Sequence, residues 1–338
     1  MKKDGKLAAV LDGNAVWPPP IWLMRQAGRY LPEYRELRAK AGSFWTMCND
    51  PAMAAEITLQ PIRRFGFDAA IIFSDILTVP FALGQTVTFT EGEGPSLPPI
   101  ASVEGLERDP AAWREKLSPA YETLERVRGA LAPETALLGF AGAPWTLATY
   151  MAAGKGGDEQ RAAKAWAVHD PQGFQRLLDL LADCVTVHLV AQLDAGADAV
   201  QLFDSWANGL DSEQFRSWVI APSKRIVDGV RAARPGARII GFPRAVSVEQ
   251  AVEFAETVRP NAISIGTSKP LGALGDVAVQ GNLDPELLVA GGTALARATE
   301  TILDEMRGRR LIFNLGHGVL QQTPPEHVAA LVKQVRAS

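Results

Sequence analysis

The chain has 338 residues, of which 47% are hydrophobic and 21% are charged, and its formal net charge is −4. This composition is typical of a globular protein with enough apolar material for one large domain or two ordinary ones. An acidic balance argues against a nucleic-acid-binding protein, which normally has a basic face. The sequence has no apolar stretch of membrane-spanning length and no signal-peptide pattern at its start. We therefore expect a cytoplasmic protein that binds neither nucleic acid nor membrane.

The first informative segment is a loop with two arginines. An apolar run at residues 21–24 follows three prolines and leads into Arg25-Gln26-Ala27-Gly28-Arg29-Tyr30. Two permanent cations beside a glycine suit a small, multiply charged anion, because guanidinium groups match carboxylates and phosphates. Taken alone, an arginine pair of this spacing is usually a pair of surface charges. Its position directly after an apolar run, where α/β proteins place their sites, favours a functional role.

Further along the chain, short apolar runs alternate with longer segments of helical spacing. The eight runs are residues 21–24, 69–73, 136–140, 199–203, 238–242, 262–265, 277–280 and 311–314. Helical spacing of apolar residues occurs at 110–132, 171–195, 212–233 and 285–307. Alternating strands and helices predict a parallel sheet, and eight such units predict a closed (β/α)8 barrel of the TIM type. The long connections after the first two runs are expected to lie over the C-terminal mouth of the barrel.

We expect one domain, residues 1–338, because no linker or composition shift divides the chain. An open doubly wound sheet is the alternative, but its GxGxxG nucleotide turn is absent. The glycine-rich segment 154–157 lacks the spacing of a phosphate loop and is interpreted as an exposed connection. Cys48 and Cys184 have no metal-ligand spacing, so we expect reduced buried thiols and no metal site.

Polar residues stand at the ends of the predicted strands. Parallel strands deliver their C-terminal ends to one face of a barrel, so these residues would converge on its mouth. They include Arg25, Gln26, Ser74, Asp75, Asp204, Ser205, Arg244, Thr267, Asn282 and His317. Asp75 lies in an especially apolar run, where a carboxylate needs a cationic or N–H partner, and this favours function over a structural turn cap.

Three residues, Ser205, Tyr150 and Arg38, are ambiguous when they are considered singly, whereas His317 is the strongest candidate of the four histidines. Ser205 lies in no GxSxG elbow, so it is a hydrogen-bonding residue or a plain turn serine rather than a nucleophile. Tyr150, beyond the third predicted strand, is by itself more typical of packing, and Arg38 of a solvated helix charge. His317 is flanked by glycines after the eighth run, a region where barrels often bind anions.

Taken together, these segments resemble the uroporphyrinogen decarboxylase family over nearly the whole chain. The similarity rests on residues 25–35, 71–77, 142–146, 201–205, 280–285 and 314–318, in this order. The sequence around Arg244 has fewer glycines than is usual in the family. The segment with Thr267 stands where the family commonly has an acidic residue and an aromatic one.

The resemblance implies a carboxy-lyase of haem biosynthesis. Such an enzyme converts the four acetate side chains of uroporphyrinogen III to methyl groups, giving coproporphyrinogen III, without metal or other cofactor and as a homodimer. Asp75 would accept hydrogen bonds from the pyrrole N–H groups and stabilise a cationic intermediate. Arg25 would bind the reacting carboxylate and is a candidate proton donor. The full substrate-binding set implied is Arg25, Gln26, Ala27, Gly28, Arg29, Asp75, Tyr150, Ser205 and His317.

Two other functions stay open. Similar barrels include corrinoid-linked methyltransferases, which need a zinc site of histidine and cysteine that Cys48 and Cys184 do not offer. The second is a tetrapyrrole carrier without turnover. The joint presence of Asp75, Arg25 and Arg29 argues against it.

Overall fold

The computed structural model describes residues 5–90, 94–267 and 269–338. Its strands are β1 (Ala69–Ile71), β2 (Thr88–Thr90), β3 (Gly94–Ser96), β4 (Ala136–Gly142), β5 (Ala199–Asp204), β6 (Ile239–Pro243), β7 (Ala262–Ser264), β8 (Ala278–Leu283) and β9 (Leu311–Leu315). Seven of them form a parallel sheet in the order β1-β4-β5-β6-β7-β8-β9, while β2 and β3 form a separate antiparallel pair. The order in the sheet follows the order in the chain, as in a barrel whose crossovers pack on the outside. The α/β class and the barrel-type arrangement predicted from the sequence are confirmed.

The predicted first strand, residues 21–24, is wrong as a regular strand. Only Ile21 pairs, in a single parallel bridge to Phe313 of β9. The Ile21 carbonyl also accepts a hydrogen bond from the Asp68 amide at 2.9 Å, just before β1. The segment thus spans the gap between the last and first strands, but regular strand pairing does not close the barrel. Residues 18–20 are prolines without N–H groups, and Arg25 turns to a φ of +58°, so the chain has little length in which to form a ladder.

Sixteen α-helices surround the sheet among the described residues. They are α1 (Lys6–Leu11), α2 (Pro32–Ala41), α3 (Phe44–Asn49), α4 (Pro51–Phe65), α5 (Thr78–Ala82), α6 (Pro110–Lys116), α7 (Ser118–Ala130), α8 (Pro144–Ala153), α9 (Arg161–His169), α10 (Pro171–Asp194), α11 (Ser212–Gln214), α12 (Ala221–Ala233), α13 (Val248–Val258), α14 (Pro285–Ala290), α15 (Gly292–Glu305) and α16 (Pro325–Arg336). A π-helical turn (Phe215–Ile220) joins α11 to α12, and a 3-10 turn (Leu271–Leu274) precedes β8. Asp50, Asp109, Asp170 and Asp284 each cap a helix whose first residue is proline, and this explains why these helices start where they do.

Two of the predicted helical segments are each divided in two. Residues 110–132 form α6 and α7, because Pro119 lies in the first turn of the second helix and lacks the N–H that a continuous helix would need. Residues 285–307 form α14 and α15, because Gly291 and Gly292 adopt positive φ angles of 68° and 59°. Residues 171–195, by contrast, correspond to the single helix α10 with its C-cap at Ala195.

Helix α1 fills the end of the barrel at which the strands begin. Five strands begin with a small residue whose side chain belongs to the inner core, namely Ala69, Ala136, Ala199, Ala262 and Ala278. In the same cluster, α1 contributes the fully buried side chains of Leu7, Val10 and Leu11. A ring of alanines leaves the space that these larger side chains occupy, so α1 closes the N-terminal end.

Above this layer the interior is partly polar. The Trp22 indole Nε1 donates to Gln280 Oε1 at 3.0 Å, and Gln280 Nε2 donates to Gln201 Oε1 at 3.0 Å. All three side chains are fully buried. Their hydrogen bonds tie residues 21–24 to β5 and β8, and they hold the start of the arginine loop over the sheet.

Candidate active site

The arginine loop and the loop after β9 are in direct contact at the C-terminal end of the sheet. The Arg25 side chain runs over Gly318 so closely that a Cβ there would lie 2.4 Å from Arg25 Cδ. The absence of a side chain at Gly318 is therefore what permits this path for Arg25. The predicted meeting of residues from opposite ends of the chain occurs at this point.

Asp75 lies four residues beyond β1 in a short turn. Its Oδ1 accepts a hydrogen bond from the Leu77 amide at 2.8 Å, and its carbonyl accepts one from Thr78 Oγ1 at 2.8 Å. Burial raises the pKa of the Asp75 carboxyl to about 6, while the Leu77 amide and the positive charge of Arg25 lower it. A carboxylate with an elevated pKa beside an arginine is the pattern that marks functional sites.

Tyr150, near the end of α8, faces the same space. Its ring lies 6.3 Å from that of Trp206, centroid to centroid. Burial raises the pKa of the Tyr150 phenol; the neighbouring Trp206 indole lowers it, the negative charge of Asp75 raises it, and Arg25 lowers it. Tyr150 is therefore in the electrostatic neighbourhood of both Asp75 and Arg25, and its hydroxyl is a neutral hydrogen-bonding group at ordinary pH.

Ser205 sits in a turn after β5 that two residues of α8 hold in place. Trp145 Nε1 donates to the Trp206 carbonyl at 2.8 Å, and Thr146 Oγ1 accepts from the Trp206 amide at 3.1 Å. The same Thr146 hydroxyl donates to Asp204 Oδ1. Ser205 itself is partly exposed, and the hydrogen bonds on either side of it hold its backbone in place.

His317 follows β9 and is also partly exposed. Burial, together with the positive charges of Arg244 and Arg25, lowers the pKa of the His317 imidazole to about 4. The imidazole is thus neutral near pH 7 and has one donor and one acceptor nitrogen. Of the predicted residues, Arg25, Asp75, Tyr150 and His317 share one electrostatic neighbourhood, and Ser205 joins it through a hydrogen bond from Arg244 Nη1 to its carbonyl at 3.3 Å.

Gln26 has a different role from the one predicted for its side chain. It is fully buried, its Oε1 accepts from the Leu23 amide at 3.1 Å, and its Nε2 donates to the Ala69 carbonyl at 3.1 Å. Both ends of the amide are thus used to anchor the arginine loop to β1. Ala27 and Gly28, whose backbone was predicted to line the pocket, are partly exposed in the same loop.

Arg29 is exposed in the same loop. Its charge, with that of Arg38, lowers the pKa of the Tyr34 phenol, which burial raises. The Tyr34 ring packs edge-on against Phe73, at 5.8 Å, two residues before Asp75. Arg29 and Arg38 therefore form a second cationic area beside the first.

Two residues at the mouth have roles that the sequence did not assign. Asp204 is 2% exposed, and burial raises the pKa of its carboxyl to about 7 while hydrogen bonds from Thr146 lower it. Arg244, directly after β6, is half-buried, and both burial and the charge of Arg25 lower the pKa of its guanidinium. Position at a strand end was the signal available in the sequence for both of them.

Other possible sites are less well supported. A depression of about 490 Å³ is lined by Glu33, Gln60, Arg63 and Arg64, but it shares no residue with the mouth. Its arginines are paired with Glu56 and Glu33. Within residues 5–90, 94–267 and 269–338, no three His, Cys, Asp or Glu side chains are grouped so that they could hold a metal ion. In the same ranges, no helix is long and apolar enough to cross a bilayer.

The fold and the site define an α/β barrel-type protein whose mouth combines a raised-pKa carboxylate with several arginines and a neutral histidine. A solved methyltransferase from Methanosarcina mazei has this fold, with a TM-score of 0.81, 19% identity, and coverage of 98% of this chain and 97% of that one. The uroporphyrinogen decarboxylase of Mesorhizobium japonicum is 49% identical over 100% of this chain and 99% of its own. That of Agrobacterium fabrum is 50% identical over 99% of this chain and 98% of its own.

A family model described as uroporphyrinogen decarboxylase (URO-D) matches residues 2–338. The chain belongs to the uroporphyrinogen decarboxylase family, and the resemblance noted in its motifs is confirmed.

Proposed function

We propose that the protein is a carboxy-lyase that converts the four acetate side chains of uroporphyrinogen III to methyl groups and so produces coproporphyrinogen III. The observation that carries the proposal is the buried carboxyl of Asp75 within the electrostatic reach of Arg25 at the mouth, in a chain of this family. The substrate carries many carboxylates, and this accounts for a cationic mouth in an acidic protein.

Loss of CO2 from a pyrrole acetate needs an electron sink. Protonation of the adjacent ring carbon makes the pyrrole cationic, and the electron pair of the breaking C–C bond then flows into the ring. The exocyclic carbon next takes up a proton, and the ring loses the proton that it gained. Each arm thus exchanges CO2 for one proton, with no change in oxidation state, so no redox partner is needed.

Asp75 stabilises the positive charge that develops on the pyrrole during these reaction steps. As a carboxylate it accepts hydrogen bonds from pyrrole N–H groups and stabilises the cationic intermediate, the electrostatic contribution that is often the largest in catalysis. Its Oδ1 is already oriented by the Leu77 amide, so little reorganisation accompanies the reaction.

Arg25 binds the reacting carboxylate and is the candidate source of the proton. An arginine has a very high pKa, so relay of a proton from bound water suits it better than direct acid catalysis. Arg29, Tyr150, Ser205 and His317 hold the macrocycle and its acid arms, and the backbone of Ala27 and Gly28 lines the pocket. Gln26 keeps this loop in place.

Substitution of Asp75 tests the mechanism. Asp75→Asn preserves size but removes the charge and presents an NH2 group to the pyrrole donors, so we expect turnover to fall by about a hundredfold or more. Asp75→Glu keeps a displaced charge and should retain more activity than Asp75→Asn. The measurement is anaerobic conversion of uroporphyrinogen III per folded molecule, with thermal melts of each variant. Near-normal turnover by well-folded Asp75→Asn protein would rule the mechanism out, and a wild-type protein that binds but never converts the substrate would be a carrier.

We also propose that turnover needs no metal or organic cofactor, that the protein is a homodimer, and that it works in the cytoplasm. Activity should survive dialysis against a chelator, and restoration of a lost activity by one metal would contradict the first point. Light scattering gives the oligomeric state, and a monomer at working concentration would contradict the proposed homodimer. Cell fractionation tests the proposed cytoplasmic location.

A further inference from the structure

Arg244 is a charged side chain at the mouth for which the proposed mechanism so far has no use. It follows β6 directly, is half-buried, and donates from Nη1 to the Ser205 carbonyl at 3.3 Å. Its positive charge acts on His317, and that of Arg25 acts on Arg244. Arg244 thus faces the same space as the residues of the candidate active site.

This guanidinium has no carboxylate partner among the residues that the structure describes. One neutral carbonyl uses one of its five N–H donors. A half-buried cation beside a second arginine is unfavourable unless an anion or further acceptors compensate it. Elsewhere on the molecule, arginines such as Arg64 and Arg238 pair with carboxylates.

The backbone next to Arg244 is also held in an unusual conformation. Ala245 has a φ of +59°, a left-handed geometry that is unfavourable for a non-glycine residue. Arg25, whose charge acts on Arg244, has a φ of +58°. Left-handed backbone thus occurs at or beside both arginines, and strain of this kind clusters at functional sites, where the surrounding structure maintains it.

We propose that Arg244 is a substrate-binding residue whose guanidinium receives a carboxylate arm of the tetrapyrrole, next to Ser205 and opposite the arm held by Arg25. This inference rests on the proposed function for the identity of the ligand. The free N–H donors of Arg244 match the two oxygens of a carboxylate, and the bidentate pair would supply the missing counter-charge. The contact to the Ser205 carbonyl fixes the guanidinium in advance, which lowers the cost of binding.

The test compares Arg244→Gln, which removes the charge, with Arg244→Lys, which keeps the charge and loses the planar fork. Arg216→Gln is the matched control, because Arg216 is an exposed arginine paired with Glu253 on the outer helices. The first readout is the Kd of coproporphyrinogen III, which has propionate arms alone, measured anaerobically by tryptophan fluorescence. The second is the KM for uroporphyrinogen III, which has acetate arms as well.

We expect Arg244→Gln to weaken the Kd, the KM or both by about tenfold or more, Arg244→Lys to give a smaller loss, and Arg216→Gln to change neither. A loss in Kd assigns a propionate to Arg244, and a loss in KM with an unchanged Kd assigns an acetate. The tetramethyl ester of coproporphyrinogen III should bind wild type and Arg244→Gln equally. Equal binding of the acids by a folded Arg244→Gln protein, or an equal loss for acid and ester, would overturn the proposal.

A third readout distinguishes an Arg244 whose charge faces the mouth from an Arg244 that only holds the Ser205 turn in place. In Arg244→Gln the His317 imidazole should titrate above its wild-type pKa of about 4, as followed by NMR. An unchanged His317 titration would place the guanidinium elsewhere and would contradict the proposal.

Failure of the proposed function is distinguishable from failure of this inference. A wild-type protein that binds coproporphyrinogen III but releases no CO2 from uroporphyrinogen III would overturn the function, while the Kd of Arg244→Gln still decides the role of Arg244. A wild-type protein that binds neither tetrapyrrole would overturn both.

Discussion

At the scale of single residues, the mouth holds two aspartates whose surroundings differ. Asp75 has a nearby arginine and an amide donor, and its pKa is about 6. Asp204 is held by Thr146 in a more enclosed place, and its pKa is about 7. In both cases burial penalises the charged form and is the largest influence. The two aspartates therefore lead to separate predictions, Asp75 on the pH dependence of activity and Asp204 on that of stability.

The pKa of Asp75 predicts an acidic limit to activity. If the carboxylate is the active form, kcat/KM should fall as the pH drops through about 6, by close to tenfold per unit below that value. Because kcat/KM reports the free enzyme, this limb reflects the pKa before the substrate binds. The measurement is kcat/KM for uroporphyrinogen III between pH 5 and pH 8. The residual activity of Asp75→Asn should lack the limb, and a limb that persists unchanged in this variant would assign it to another group.

Asp204 predicts a stability effect. Its folded-state pKa of about 7 lies above the ordinary value of 3.8, so its contribution to the free energy of unfolding is fully present at low pH and is lost as the pH rises through about 7. Asp204→Asn does not titrate. Relative to wild type, the variant should therefore gain on the order of 2 kcal/mol between pH 5 and pH 8.

Urea unfolding at several pH values measures this difference. Glu300→Gln, on an exposed position of α15, is the control and should show a difference that stays nearly constant with pH. A pH-independent difference for Asp204→Asn would show that its carboxyl titrates normally in the folded state.

At the scale of elements, the site depends on how two loops fit together. Gln26 ties the arginine loop to β1 through a hydrogen bond to the Ala69 carbonyl and to the preceding segment through the Leu23 amide, and Gly318 leaves room for the Arg25 side chain. The first loop follows the predicted first strand and the second follows β9, so their contact depends on the closing segment around Ile21. The orientation of Arg25 is consequently a property of the contact between the loops.

Gly318→Ala tests this contact. An added Cβ would lie 2.4 Å from Arg25 Cδ and 3.0 Å from its Cβ, so the arginine must move. A shift of this kind at a binding group should lower kcat/KM on the order of tenfold or more while the melting temperature changes little. Gly129→Ala is the control, because a Cβ at this position of α7 meets nothing within 4 Å. Full activity in Gly318→Ala would mean that the observed path of Arg25 is not needed.

At the scale of the whole molecule, the ends of the chain stabilise each other. Residues 20–22 exchange backbone hydrogen bonds with Phe313, and α1 fills the barrel beneath five strands. A local opening of either terminus would expose the inner core to water. This coupling supports the expectation that residues 1–338 form a single domain.

We therefore expect one cooperative unfolding transition. Tryptophan fluorescence, which reports several parts of the barrel, and far-UV circular dichroism should give the same midpoint in urea. A matched test is Leu7→Ala in α1, which should lower both midpoints together by creating a cavity in the inner core. Two separated transitions, or a shift in one probe alone, would indicate independently folding parts.

Much of this architecture is encoded locally. Runs such as 69–73 and 199–203 are apolar over the length of a buried strand, and the aspartate-proline starts of α4, α6, α10 and α14 are read directly from neighbouring residues. The first strand could not be predicted correctly, because the decisive influences are the preceding prolines and its place between two distant strands. The division of residues 285–307 was visible in its glycine pair but was outweighed by helical spacing.

The sequence by itself determined the class of fold, the family and most of the residues that meet at the mouth, because these follow from local periodicity and from short motifs. The tertiary structure decided what each residue does there. It made Gln26 an anchor instead of a free amide, brought Arg244 to Ser205 and His317, and set the pKa of Asp75 near 6. The physical reason is that burial, hydrogen bonding and Coulomb interactions depend on distances between residues far apart in the chain, and no local pattern contains these distances.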